Sequence, residues 1–209
     1  MQLYSLVVTL DAHVRAELAP CHYNQSMVTE APCVVTVCAD VHRFSQWCKQ
    51  RNADPAYDNF EWFLNAATDA LLAAENLALA AETKGLGICV LGTTLYTVAD
   101  ICRILCLPKG VIPITTLVVG YPAERPTLTD RLPIEAVVHF ERYKEYTDAE
   151  IDELWAEKET SEQTQRLIAE NDVDNLAQIF TQHRYCREDN LAVSRSYFEQ
   201  LRKQGFFNQ

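Results

Sequence analysis

Residues 59–83 limit the possible folds more than any other stretch. They are rich in Ala and Leu, and over residues 63–81 the polar positions are Asn65, Thr68, Asp69, Glu75 and Asn76 alone. Wound as a helix, those five fall in one sector. A helix apolar over the rest of its circumference is expected to be buried. Lys84-Gly85-Leu86-Gly87 follows, and Gly85 stands where a left-handed glycine closes a helix. Gly87 and Gly92 then bracket a short β run at 88–91. Glycines in such places permit close approach of another segment or of a ligand.

Composition removes several classes. At 209 residues, 48% of them hydrophobic, the chain suffices for one domain, or one with an appendage. Acidic residues outnumber basic ones 29 to 18, for a net charge of -11. That argues against nucleic acid or an anionic membrane as a partner. No apolar run reaches the roughly 20 residues that span a bilayer, and Met1 is not followed by a secretory signal. A cytoplasmic location is expected. The eight cysteines contain no CxxC pair and the five histidines no HxH or HxxxH. No metal site is expected, and the thiols read as buried and reduced. Cys102 and Cys106, one helical turn apart, are expected to face the core.

In chain order, residues 3–9 are almost wholly apolar and read as a central strand. Residues 11–18 form a short helix capped by Asp11, and a polar loop at 21–26 leads toward a second strand at 33–39. Asp40 caps a helix to about residue 50 that presents Phe44, Trp47 and Cys48. Beyond the long helix come a short helix at 97–105, a β run at 114–119, a polar loop at 124–131 and a last short strand at 134–140. From Thr147 the character changes. Thr147-Asp148-Ala149-Glu150 has the form of a capping box, with helices expected at about 148–157, 162–170 and 191–203 and a shorter one near 174–181. This acidic tail has too few apolar anchors for a core of its own, so it is expected to wrap the main domain or a partner subunit. The class is α+β, a sheet flanked by helices, with a domain at 1–146 and a helical C-terminal extension at 147–209.

Catalytic signatures are missing from the sequence. No GxSxG, HExxH, GxxxxGK[ST] or GxGxxG occurs, and Gly85-Leu86-Gly87 follows a helix instead of opening one. Asp148, Glu150, Asp152 and Glu153 favour the positive end of an acidic helix and are not read as a catalytic cluster.

The segment Asn65-Ala66-Ala67-Thr68-Asp69-Ala70-Leu71-Leu72-Ala73-Ala74-Glu75-Asn76-Leu77, with Ala80-Ala81-Glu82-Thr83-Lys84-Gly85-Leu86-Gly87-Ile88, resembles the central segment of FMN-dependent nitroreductases. So does Leu117-Val118-Val119-Gly120-Tyr121-Pro122-Ala123-Glu124-Arg125-Pro126, followed by Arg131-Leu132-Pro133-Ile134-Glu135. Order and spacing agree over residues 2–143. The resemblance implies a mixed sheet flanked by helices and an intertwined homodimer with FMN at each subunit interface, the long helix packing on its mate. It implies that Val90, Leu91, Gly92 and Thr93 run along the isoalloxazine and offer an N–H near flavin N5. It puts Asn24 at the pyrimidine edge and Arg131 at the phosphate. Gln2 takes the last position of a Ser-x-x-Asn-x-Gln motif that reaches the flavin of the other subunit. Hydride would pass from NAD(P)H to flavin N5 and on to a nitro, quinone or similar acceptor in ping-pong fashion. The cofactor carries the chemistry, so no catalytic side chain is expected.

The sequence also departs from the pattern. An Arg-Arg-Ser-x-Arg motif and the rest of the second motif do not occur in these 209 residues, and Thr129 stands where some members have a phosphate-binding Lys. Charge-assisted hydrogen bonds are worth about 1.5–3 kcal/mol each, so this stretch by itself is expected to hold FMN poorly. Two alternatives follow: a non-catalytic homologue that keeps the fold, or a member of the superfamily that uses reduced FMN for other chemistry.

Overall fold

A computed structural model describes residues 1–124 and 128–208. Arg125 and Pro126 of the resembling block lie outside the described residues. The chain forms two compact units, Met1–Glu124 with Ala192–Gln209, and Arg125–Leu191. This division differs from the 1–146 and 147–209 expected. The last 18 residues carry buried Leu201 and Phe206, which join the core of the first unit.

The elements of the first unit are β1 (Tyr4–Thr9), α1 (Ala12–Leu18), α2 (Met27–Glu30), β2 (Cys33–Asp40), α3 (His42–Gln50), α4 (Phe60–Glu82), β3 (Gly87–Leu91), α5 (Val98–Ile104) and β4 (Val111–Gly120). The four strands pair in the order β1-β2-β4-β3, and every pairing is antiparallel. The α+β class stands, but the sheet these strands make is not mixed. β1 lies at an edge and not in the centre, with Leu6 and Val8 exposed. An apolar run records that a surface is to be covered, not what covers it. β4 begins ahead of the expected residue 114 and runs through Pro113. Proline lacks the N–H a central strand needs. It is accommodated where the register slips: Val37 faces Thr115 and Cys38 faces Pro113, a bulge in the ladder.

α4 forms almost as read. The Asn59 side chain accepts from the Trp62 N–H at its start. At its end Leu86 N–H donates to Ala81 O, Gly85 N–H donates to Glu82 O, and Gly85 has φ +73°, the left-handed closure glycine favours. Ala66, Ala70, Ala74 and Ala78 recur every four residues and are buried. Ala70, Ala74 and Ala78 pack on Val35, Val37 and Leu117 of the two inner strands, and small side chains let the helix lie close to the sheet. The other side is left uncovered by this chain. Leu64, Leu71, Leu72 and Leu79 are 49–62% exposed within this chain. Asp69, between these faces, accepts the Leu3 N–H at 2.6 Å and fixes the approach to β1.

Capping at α1 follows the sequence, with Asp11 accepting from the N–H groups of His13 and Val14. At α3 the N-cap position is Val41 and not Asp40. Asp40 closes β2 yet still accepts from the Arg43 N–H, at 3.1 Å. Cys21, Cys38, Cys48 and Cys102 are buried as expected. Cys106 is exposed and has φ +51°: α5 ends at Ile104, so the helical spacing that would have put it beside Cys102 does not apply. A second core gathers Phe63, Ala66, Val98 and Ile112 with Leu201 and Phe206; the Phe63 and Phe206 rings meet edge-on at 5.5 Å.

The second unit holds a 3₁₀ turn (Ile134–Ala136), α6 (Asp148–Thr160), α7 (Glu162–Asn171) and α8 (Leu176–Gln178), which runs on into a π turn (Ile179–Arg184). The strand expected at 134–140 is absent. Ile134, Val137 and Phe140 are exposed, and no strand pairs with them among the described residues. The Thr147–Glu150 capping box is formed in both directions. α9 (Arg187–Gln204) begins here, and its part from Ala192 onward belongs to the first unit.

Candidate functional site

The C-terminal end of β3 joins a buried anchor to an exposed turn. Leu91 is buried, and the strand passes into a 3₁₀ turn, Gly92–Leu95. Thr94 is fully buried and its Oγ1 lies 2.9 Å from both Leu91 O and the hydroxyl of Thr116 on β4. Gly92 itself is exposed. A Cβ placed there would meet nothing among the described residues within 4 Å, and its φ is not in the left-handed range. Neither backbone conformation nor this chain's own packing therefore requires glycine at 92. Gly87 differs: a Cβ there would lie 3.2 Å from the Pro122 Cβ, so its close approach is to the chain itself. Val90 points outward and is exposed.

Asn24 reaches the same region through the loop before β2. Residues Ala19–His22 form a 3₁₀ turn, and Tyr23 and Asn24 both adopt φ +54°. The Asn24 N–H donates back to Ala19 O at 2.9 Å, and the side chain is exposed. Three contacts lock this loop onto the segment after β3. The Thr97 hydroxyl donates to Cys21 O at 2.8 Å. The rings of Tyr23 and Tyr96 stack with centroids 6.2 Å apart. His22 Nδ1 lies 2.8 Å from Thr93 Oγ1. Asn24 and Val90–Thr93, far apart in sequence, are thus neighbours in the first unit.

His22 was not singled out by the sequence, where it is one polar residue in a loop. In the fold it is fully buried. Burial drives its pKa down to about 4, so the ring is neutral at pH 7. Its Nε2 is buried without a hydrogen-bond partner among the described residues. No motif marks it, because its partner Thr93 is 71 residues away.

The remaining expected residues are Gln2 and Arg131. Gln2 precedes β1, at the sheet edge opposite β3. Three strand spacings of about 4.8 Å separate those edges, so this chain does not bring Gln2 to Gly92. It is exposed with φ +60°, and its carbonyl accepts from the Arg43 guanidinium. Arg131 is in the second unit. It is exposed and donates to the Thr129 hydroxyl and to the Asp130 carbonyl. A cavity of about 540 Å³ in that unit, lined by Val138, His139, Arg142 and Tyr146 among others, includes none of the expected flavin residues. Among the described residues no group of His, Cys, Asp or Glu could hold a metal ion. No helix of theirs is long and apolar enough to cross a membrane.

An antiparallel sheet backed by an alanine-faced helix, with an open glycine at the end of an edge strand, defines the class of domain. The chain belongs to the nitroreductase family, whose profile residues 4–121 match. The FMN reductase (NADPH) of Bacillus subtilis strain 168 is 33% identical over 150 residues, which are 71% of this chain and 60% of that protein. The oxygen-insensitive NADPH nitroreductase of Salmonella typhimurium strain LT2 is 33% identical over 144 residues, 69% of this chain and 58% of the relative. The chain thus spans less than two thirds of the length of these curated relatives. A solved structure from Bacteroides fragilis NCTC 9343 is 50% identical and superposes with a TM-score of 0.97 over 100% of this chain and 85% of its own.

Proposed function

We propose that this chain forms the flavin-holding part of an NAD(P)H-dependent FMN oxidoreductase that reduces a nitro, quinone or similar acceptor. The observation that carries the reading is Gly92: a glycine that nothing among the described residues requires, at an exposed turn clamped on both sides by Thr94 and by His22 through Thr93. A planar ring needs such a surface, open above one peptide and rigid beneath it. The names of the two curated relatives supply the chemistry, FMN and NADPH in one and NADPH with nitro reduction in the other.

Bound FMN would supply hydride acceptance and release at N5, in two half-reactions that share one ring face. Val90, Leu91, Gly92 and Thr93 would line the ring and offer backbone N–H groups to it. Asn24 would hydrogen-bond its pyrimidine edge. Arg131 would take the phosphate, since guanidinium binds phosphate bidentately, while Gln2 would serve the flavin of the other subunit. No side chain of this chain is assigned a proton-transfer role.

The same reading makes the protein a homodimer. Leu64, Leu71, Leu72 and Leu79 form the outward side of α4, and a second copy of that helix is their proposed cover. The test takes purified protein, FMN and NADPH. Flavin should bind, weakly for the reason given by the missing charged partners, and at saturating FMN the bound flavin should bleach with NADPH and recolour with a nitroaromatic. Sedimentation should give a dimer that Leu71→Glu and Leu79→Glu dissociate. A protein that binds no flavin, or bound flavin that NADPH leaves coloured, would count against the assignment.

A further inference from the structure

Three side chains of the first unit, Arg15, His22 and Thr36, bury a polar atom without a hydrogen-bond partner among the described residues, and of these His22 is the one in contact with the turn at Gly92. A fully buried imidazole is a costly way to fill space. Its Nε2 has no partner, and an unsatisfied buried polar atom costs about 1–3 kcal/mol. An apolar residue of similar volume would avoid that cost. What the imidazole provides is the 2.8 Å contact between Nδ1 and Thr93 Oγ1.

The unpartnered Nε2 also decides the tautomer. The ring is neutral and carries one N–H. Buried N–H groups without a partner are rarer than under-used acceptors, so the hydrogen belongs on Nδ1, where an acceptor waits, and Nε2 keeps a lone pair. Nδ1–H then donates to Thr93 Oγ1. The Thr93 hydroxyl hydrogen is left free to be given elsewhere, and its oxygen is held in place from behind. Thr93 is half-buried and follows Gly92 directly. On the inner side Thr94 ties the same turn to Thr116 at 2.9 Å. The Gly92–Thr93 peptide is therefore gripped at two points, one on the sheet and one on the loop that carries Asn24.

We propose that His22 is a positioning residue for the flavin site: by donating from Nδ1 to Thr93 Oγ1 it fixes the Gly92–Thr93 turn and makes the Thr93 hydroxyl a hydrogen-bond donor to an acceptor atom of the bound flavin. This deepens the flavin-holding role proposed above and rests on it. It also couples the two halves of the site. Asn24 lies two residues beyond His22, so a shift of Thr93 and a shift of Asn24 are mechanically one event.

The test separates positioning from mere filling. In His22→Asn the side-chain amide N–H takes the place of Nδ1–H. In His22→Gln the amide reaches the place of Nε2 instead. Thr93→Ser keeps the hydroxyl and Thr93→Val removes it at equal volume. FMN affinity is read by fluorescence quenching, the bound-flavin absorption spectrum is recorded, and the melting temperature of each flavin-free protein is the structural control. His22→Asn and Thr93→Ser should bind FMN within about threefold of wild type. His22→Gln and Thr93→Val should each lose tenfold or more and shift the flavin spectrum, and the double variant should lose no more than either alone, as coupled residues do. In flavin-free wild-type protein, ¹⁵N chemical shifts of His22 should report the Nδ1–H tautomer. Three results would overturn the proposal: an Nε2–H tautomer, equal FMN affinity in all four variants, or losses that follow melting temperature alone. Wild-type protein that binds no FMN would remove the flavin-holding role and this proposal together, whereas normal wild-type binding with insensitive variants removes the proposal only.

Discussion

Replacing Gly92 by Ala separates what this chain needs from what its ligand needs. The added methyl would meet no atom of the described residues within 4 Å, and the residue is outside the left-handed region. With no clash and no strain, the substitution acts on stability only through the unfolded chain, which loses conformational freedom. Gly→Ala at such a site stabilises by about 0.4–1 kcal/mol. For a protein of this size that is a rise in melting temperature of up to about 4 °C. Flavin binding should respond in the opposite direction. A methyl on the open side of the turn occupies the layer where a ring would lie, and a loss of about 1.4 kcal/mol is already tenfold in affinity. Differential scanning fluorimetry without flavin and a fluorescence titration with FMN measure the two effects on one sample. Gly87→Ala is the contrast: its methyl would sit 3.2 Å from the Pro122 Cβ, so its melting temperature is set by how far Pro122 yields and not by the unfolded chain alone. If Gly92→Ala melts several degrees below wild type, the turn is packed in a way not accounted for. If its FMN affinity is unchanged, the flavin does not approach Gly92, and the site has been misplaced.

Three other outcomes are expected. Phe206→Ala empties a fully buried site that also packs on Phe63 and should cost about 3–5 kcal/mol in urea unfolding; a loss under 1 kcal/mol would show that the chain end is not part of this core. His22 has a folded pKa of about 4 against an ordinary 6.5, so the unfolded chain binds the proton first as pH falls. Stability should be complete above about pH 6.5 and decline toward pH 4 by on the order of 2–3 kcal/mol, and His22→Asn should flatten that slope in pH-dependent denaturation. Among the thiols, exposed Cys106 should react fastest with a thiol reagent, whereas Cys38, pushed up to about 12 by burial and absent from the surface, should stay inert until unfolding; mass spectrometry after brief labelling identifies the modified residue.

The long helix, its Gly85 closure, the Asp11 cap of α1 and the capping box at Thr147 were all legible in the sequence. Each depends on residues within a few positions of one another, and local geometry fixes their interactions. Family membership was legible for a related reason: the order of these local features along residues 4–121 is itself the signature. Asn24 and the Val90–Thr93 segment were reached through resemblance, and the fold brings them together. The misjudged elements share a different property. β1 became an edge, β4 ran through Pro113, the run at 134–140 found no strand partner, and Cys106 left the helix that was to orient it.

Sequence alone determined where the long helix and the larger helices of the tail lie, how α4 closes and which residues are apolar enough to seek cover, because backbone propensity, capping and hydrophobic spacing act over short range. Only the tertiary structure decided who provides that cover. It set the alanines of α4 against Val35, Val37 and Leu117 and left its leucines outward. It also bound His22 to Thr93 across 71 residues. Such a pair is chosen by the closure of the whole sheet, and neither residue carries in its own neighbourhood any trace of the other.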